Sequence, residues 1–263
     1  MIDVSRASLA ALRTRAHAEL APPERDAFIE ALRADARRGA RELAGRMQRR
    51  VLAEHAERER LARLFARRQV LLAAGVQLVA GVDEVGMGPL AGPVVAVAVV
   101  LPERVDLPGL RDSKRLGRVA RERLAARIRE QAIACAAGKV QPDEIDRLNI
   151  YRAGLEAMRR AVSRLSVAPG HVLVDARTIP DIAVPQTAII GGDDSDGSIA
   201  AASIVAKVHR DAIMRHLDGR YPGYGFGRHM GYGTEQHLAA LQRLGPSPVH
   251  RRSFAPVARA AGR

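Results

Sequence analysis

The sequence predicts an α/β protein in which a mixed sheet is flanked by helices, preceded by a helical extension and followed by a helical, aromatic-rich segment. Three observations carry that reading. Residues 1–72 have the texture of helix throughout, rich in Ala, Leu, Arg and Glu. At Gln77 the chain turns to short apolar runs of strand length, punctuated by Gly and Pro. Beyond residue 143 helical stretches alternate with short strands, which implies parallel pairing, whereas the first strands follow closely enough to meander. The expected organisation is an extension over 1–72, a core over 73–218 and a terminal segment over 219–263.

The extension is broken once, at Pro22-Pro23. Between residues 33 and 68 twelve arginines stand against five acids, a run that reads either as a solvated helical face or as a grip on phosphates. In the core, 78–82 and 94–101 read as strands joined by the turn Gly86-Met87-Gly88-Pro89. Asp112-Ser113 supplies side-chain acceptors for a helix start, followed by a helix over 118–131, a third strand over 132–140 and a helix over 143–165. Strands over 171–175 and 187–190 and a helix over 198–217 complete the core. From Gly219 the chain is rich in Gly and aromatics, with a short helix near 235–243 and then a basic tail. Five of the eight Phe and Tyr residues lie there: Tyr221, Tyr224, Phe226, Tyr232 and Phe254.

With 263 residues and 47% hydrophobic content, the chain has ample material for a buried core. Its 42 Lys and Arg against 29 Asp and Glu leave a charge of +13, which points to a polyanionic partner, nucleic acid or an anionic membrane surface. The longest apolar run, 90–101, is too short to span a bilayer and is interrupted by Gly92 and Pro93. Asp3, Arg6 and Arg13 interrupt any secretory signal. One cysteine excludes an intramolecular disulfide and a thiolate zinc cluster. The expected setting is the cytoplasm, with no membrane contact.

Acids placed at strand ends are the chemical feature of the sequence. Asp83 and Glu84 are adjacent where the first strand meets glycines. Alternating side chains converge only if the strand ends or twists there, and two anions so placed repel each other unless a cation joins them. Asp175 ends the apolar run Val172-Leu173-Val174, and Asp193 follows Ile189-Ile190-Gly191-Gly192 in the same manner. Strand ends on one edge of an α/β sheet are where ligands usually bind, and an all-oxygen donor set suits a hard cation such as Mg²⁺ or Mn²⁺. Each Asp taken singly reads as a turn cap; the adjacent pair does not, since one cap suffices. Asp194, Asp196 and Asp211 compete with Asp193 for the fourth place, and residue chemistry alone does not choose among them.

The run Ala80-Gly81-Val82-Asp83-Glu84-Val85-Gly86-Met87-Gly88-Pro89-Leu90-Ala91-Gly92-Pro93-Val94-Val95 resembles the signature opening of ribonuclease HII, the bacterial type 2 ribonuclease H. The similarity continues, in the family's order and over roughly residues 73–255. It runs through Asp112-Ser113-Lys114, Glu144-Ile145-Asp146-Arg147-Leu148-Asn149-Ile150, Val174-Asp175 and the helix around Ala202-Ser203. It ends with His229-Met230-Gly231-Tyr232-Gly233-Thr234 and His250-Arg251-Arg252-Ser253-Phe254. The resemblance implies a ribonuclease H-like fold with Asp83, Glu84, Asp175 and Asp193 as catalytic, metal-holding acids. The fourth is chosen by its spacing from Ser203.

It also implies two Mg²⁺ or Mn²⁺ ions, with Asp83 bridging, and a monomer that hydrolyses the RNA strand of RNA·DNA hybrids. Ribonucleotides embedded in duplex DNA are to be cut on their 5′ side, leaving 5′-phosphate and 3′-hydroxyl ends. Recognition of the 2′-hydroxyl falls to the loop Gly86-Met87-Gly88 and to Tyr232. Where the family carries Gly-Arg-Gly this chain has Met87, which offers neither fixed charge nor donors, and Gly191 stands where relatives often have Lys. The competing reading is therefore a non-catalytic or weakly active nucleic-acid-binding relative. Lys114, Lys207 and Arg210 are candidate phosphate contacts, His229 and His237 weaker candidates for proton transfer, and Tyr221, Tyr224 and Phe226 packing residues.

Overall fold

The protein, analysed as a computed structural model describing residues 4–262, divides into two compact units that part between residues 60 and 61. The first contains α1 (Leu9–His17), α2 (Pro22–Ala34) and most of α3 (Arg38–Leu64), closed around Leu12, Ile29, Leu32, Leu43 and Met47. The helix expected over 1–72 with one break has three: at residues 18–21, at residues 35–37, and at Phe65 before α4 (Ala66–Ala73). Pro22 occupies a first helical position, where its missing N–H costs nothing. The second break has a local cause that its Ala-rich surroundings hide. The Asp35 carboxylate accepts from the backbone N–H and the guanidinium of Arg37, a side-chain alternative to helical bonding.

The second unit runs through β1 (Val79–Val85), β2 (Val94–Val100), α5 (Arg118–Gln131), β3 (Ala134–Val140), α6 (Pro142–Leu148), α7 (Ile150–Ser163), β4 (His171–Asp175) and β5 (Gln186–Ile189). It continues with α8 (Gly192–Ser195), α9 (Gly197–Arg220), α10 (Phe226–His229), α11 (Glu235–Leu244) and α12 (Ala255–Ala261). The sheet has the order β3-β2-β1-β4-β5, antiparallel across β3, β2 and β1 and parallel from β1 through β5. This is the ribonuclease H-like mixed sheet that the sequence predicts.

Helices cover both faces. Alternate residues of β1, Ala80 and Val82, pack with Ala157, Met158 and Ala161 of α7 on one face. Val97 and Val99 of β2 pack with Ile128 of α5 and Ile204 of α9 on the other. Two glycines set how closely the helices approach. A Cβ on Gly81 would lie 2.1 Å from the Ser198 backbone, and one on Gly138 2.0 Å from the Ala157 carbonyl oxygen, so α9 and α7 rest backbone against the sheet. The helix expected over 143–165 is two, because Asn149 takes φ 70° and its side chain caps α7 by accepting from the Arg152 N–H. Among the described residues no helix is long and apolar enough to cross a membrane.

Candidate active site

β1 does not end before its acids, contrary to the strand expected over 78–82. It stays paired with β2 through Glu84↔Ala96 and Val85↔Val95, while the register with β4 runs only to Val82↔Val174. Asp83 and Glu84 thus project where the parallel pair has stopped, beside Asp175 at the last position of β4. Strand alternation turns them to opposite faces. Asp83 faces α9 and accepts from Ser203, whose hydroxyl also meets that of Ser113 at 3.2 Å. Glu84 faces the α7 side, with the Arg177 guanidinium 3.5 Å from its Oε1. Carboxylate oxygens of Asp83, Glu84 and Asp175 nevertheless lie within 4.8 Å of one another.

Burial and mutual repulsion penalise the ionised forms of all three. Asp83, 5% exposed, is held well above the ordinary carboxylate range, by burial first and then by Glu84. Burial raises Glu84 to about 7 against the pull of Arg177, and burial raises Asp175 against the Gly192 N–H that it accepts at 2.8 Å. Glu84 Oε2 is buried with no hydrogen-bond partner. An all-oxygen cluster with an orphaned, inward carboxylate oxygen and one guanidinium beside it is chemically suited to divalent cations of the hard class.

Asp193 stands apart from this trio. It lies in the first turn of α8 rather than at a strand end, because Gly191 adopts a left-handed conformation (φ 65°) and starts a helix after β5. Its Oδ2 accepts from the Lys114 ammonium at 2.9 Å, and its charge acts on both Asp175 and Glu84. The other acids have visible employment. Asp194 pairs with Arg115, Asp196 caps α9 through the Ser198 and Ile199 N–H groups, and Asp211 pairs with Lys207 at 2.7 Å and with Arg121.

The segment from Gly86 to Pro93, between β1 and β2, is held by two buried arginines. Arg251 donates to the carbonyls of Gly86, Met87 and Gly92, and Arg210 to those of Pro93, Ala91 and Met230. Burial lowers them to about 9 and about 10, so both remain charged at neutral pH. Arg210, expected as a candidate phosphate contact, is instead 1% exposed and bound wholly to backbone. Arg251 stands in the His250-Arg251-Arg252 motif, but its role depends on residues more than 150 positions away, and no local pattern reveals it. Asp146, in another motif, accepts from the Arg252 and Ser253 N–H groups and so ties the terminal segment to the core.

Tyr232 is exposed, and its ring lies 3.6 Å from where a Cβ on Gly88 would be, at the loop as expected. The Met87 side chain packs into the α7 core, 3.0 Å from a Cβ position on Gly154. The histidines are not free for proton transfer. His229 accepts at Nδ1 from the Gly231 N–H and donates from Nε2 to the Tyr224 carbonyl. His237 donates from Nδ1 to the Tyr232 carbonyl, leaving its Nε2 to accept from His250, whose Nδ1 accepts from the Ser247 N–H. Tyr224 and Phe226 stack on one another over this cluster and are packing residues.

Comparison with known proteins agrees with this geometry. A family model described as Ribonuclease HII matches residues 80–257, and one described as Ribonuclease HII N-terminal domain matches residues 16–66. The chain is 52% identical to a ribonuclease HII of Anaeromyxobacter sp. (strain Fw109-5), over 99% of this chain and 82% of that one. It is 53% identical to that of Geobacillus thermodenitrificans, over 91% and 92%. Among solved structures, a ribonuclease H2 from Pyrococcus horikoshii OT3 superposes with a TM-score of 0.59 at 26% identity, over 70% of this chain and 97% of that one. A ribonuclease HII from Archaeoglobus fulgidus, solved in complex with PCNA, gives 0.57 at 28%, over 66% and 93%.

Proposed function

The chain belongs to the ribonuclease HII family, and on that premise we propose that this ribonuclease H, an endonuclease acting on the RNA of RNA·DNA hybrids, also cuts 5′ of ribonucleotides embedded in duplex DNA. Products carry 5′-phosphate and 3′-hydroxyl ends. The observation that carries the reading is the convergence of Asp83, Glu84 and Asp175 on one point, one buried and two half-buried carboxylates that repel one another. Such a cluster is too costly to keep without cations to occupy it.

The family is divalent-metal dependent, and here Asp83, Glu84, Asp175 and Asp193 would hold Mg²⁺ or Mn²⁺. Bound there, the cations supply Lewis acidity to an attacking water and to the departing 3′ oxygen. The chain's own groups do the rest. Ser203 and the Glu84 N–H orient Asp83, the Gly192 N–H orients Asp175, and Lys114 orients Asp193. Gly86 and Gly88 let backbone groups approach the 2′-hydroxyl, and Tyr232 packs on the neighbouring sugar. With every one of these groups on one chain, the enzyme is taken to act as a monomer, in the cytoplasm. Lys207 contacts phosphate only if substrate displaces Asp211.

Cleavage of three duplexes in Mg²⁺ or Mn²⁺ tests the reading: a full RNA·DNA hybrid, DNA with one ribonucleotide, and all-DNA. Cutting of the first two alone is expected. Binding without cutting would establish the non-catalytic alternative that Met87 raises, and cutting of all-DNA would show that ribose discrimination is lost.

A further inference from the structure

Beyond the acids, on the α7 side of the sheet, lies a groove of about 640 Å³ between α6, α7 and the segment around Pro180. Arg177 connects it to the acid cluster. Its guanidinium stands 3.5 Å from Glu84 and, on its other side, 4.9 Å over the ring of Tyr151, which lines the groove. Gly154, in the middle of α7, makes room for this arrangement, since a Cβ there would come within 3.0 Å of both the Arg177 guanidinium and the Met87 sulfur. A mid-helix glycine is destabilising relative to alanine, so it is kept here for the room it makes.

Two features of the groove wall stand open to solvent. Tyr151 is 56% exposed and, with Tyr232, is one of only two tyrosines counted among the exposed large apolar residues described. Arg152 is exposed and has no ion-pair partner among the described residues, whereas Arg147, Arg159 and Arg160 in the same groove are each paired with a carboxylate. An open ring and a free guanidinium on a wall continuous with a hydrolytic centre match the repeat of a nucleic-acid strand, sugar and then phosphate. We propose that this groove is a second substrate-binding track, in which Tyr151 packs on a sugar and Arg152 meets a backbone phosphate of the RNA·DNA hybrid beyond the cleaved bond, with Arg177 joining the track to the acid cluster.

The inference rests on the hybrid-cleaving reading above, and the test separates the two. Initial rates on a long hybrid are measured at several salt concentrations for the full-length wild type and for Arg152→Gln, Tyr151→Ala and Tyr151→Phe. Arg129→Gln serves as a charge control, on the α5 side of the sheet. Arg152→Gln is expected to raise KM and flatten the slope of log KM against log salt by about 1, one lost phosphate contact. Tyr151→Ala is expected to raise KM roughly tenfold, the weight of one ring's buried apolar area, and Phe to restore it. A salt slope unchanged in Arg152→Gln, or changed equally in Arg129→Gln, overturns the groove as a track. So does a Tyr151→Ala enzyme with wild-type KM. A wild type that cleaves no hybrid sinks the parent reading instead.

Discussion

Asp83 and Glu84 are neighbours in sequence but serve opposite faces of one strand. Asp83 is oriented from α9 by Ser203, Glu84 from the α7 side by Arg177. Their raised proton affinities fix a sign. A carboxyl whose folded value exceeds its unfolded value adds stability at low pH and loses it as pH rises through the folded value. For the metal-free protein this loss begins near the ordinary 3.8 of Asp83 and runs through the value of about 7 for Glu84. Asp83→Asn is therefore expected to be more stable than wild type at pH 8 without metal, by ~1–3 kcal/mol, with the gap narrowing toward pH 4. It is also expected to lose at least ~10³-fold in cleavage, as a residue central to metal-assisted catalysis should. Thermal melts across pH, with and without Mn²⁺, check the first claim; parallel pH curves for the two proteins would refute it.

At the level of elements, the loop between β1 and β2 is shaped by side chains that arrive from elsewhere. Arg251 reaches it from the segment before α12 and Arg210 from α9, each satisfying carbonyls that a Gly-rich loop cannot pair internally. Arg251→Gln is expected to destabilise by ~3 kcal/mol and to depress kcat/KM further than stability explains, because the loop beside the acids loses its anchor. Chemical denaturation beside kinetics at low temperature checks this; unchanged kinetics in a destabilised protein would assign Arg251 to stability alone. These long-range anchors were not legible in the sequence. The strands and the acid trio were, because short apolar runs of strand length and charge at their ends are local signals. The long helix over 143–165 failed at Asn149, where a polar residue in a left-handed conformation splits it without a Pro or Gly to announce the break. Asp193 was picked out by family spacing, but its placement on α8 follows from the conformation of Gly191, and that is invisible to composition.

Across the molecule, ion pairs neutralise only part of the excess positive charge. In the first unit Arg38 and Arg50 are paired with Glu42 and Glu54, while Arg46 and Arg49 are exposed without ion-pair partners among the described residues. The extension is proposed as a further grip on the duplex. Replacing Arg46 and Arg49 together by Gln is expected to weaken hybrid binding and flatten its salt dependence by up to ~2 in slope. Anisotropy titrations at several salt concentrations measure this, and an unchanged slope discards the grip. The central claim remains the acid cluster. Crystals soaked in Mn²⁺ and measured for anomalous scattering should show density bounded by the carboxylates of Asp83, Glu84 and Asp175; a featureless map there, from protein that still cuts the hybrid, would contradict the account.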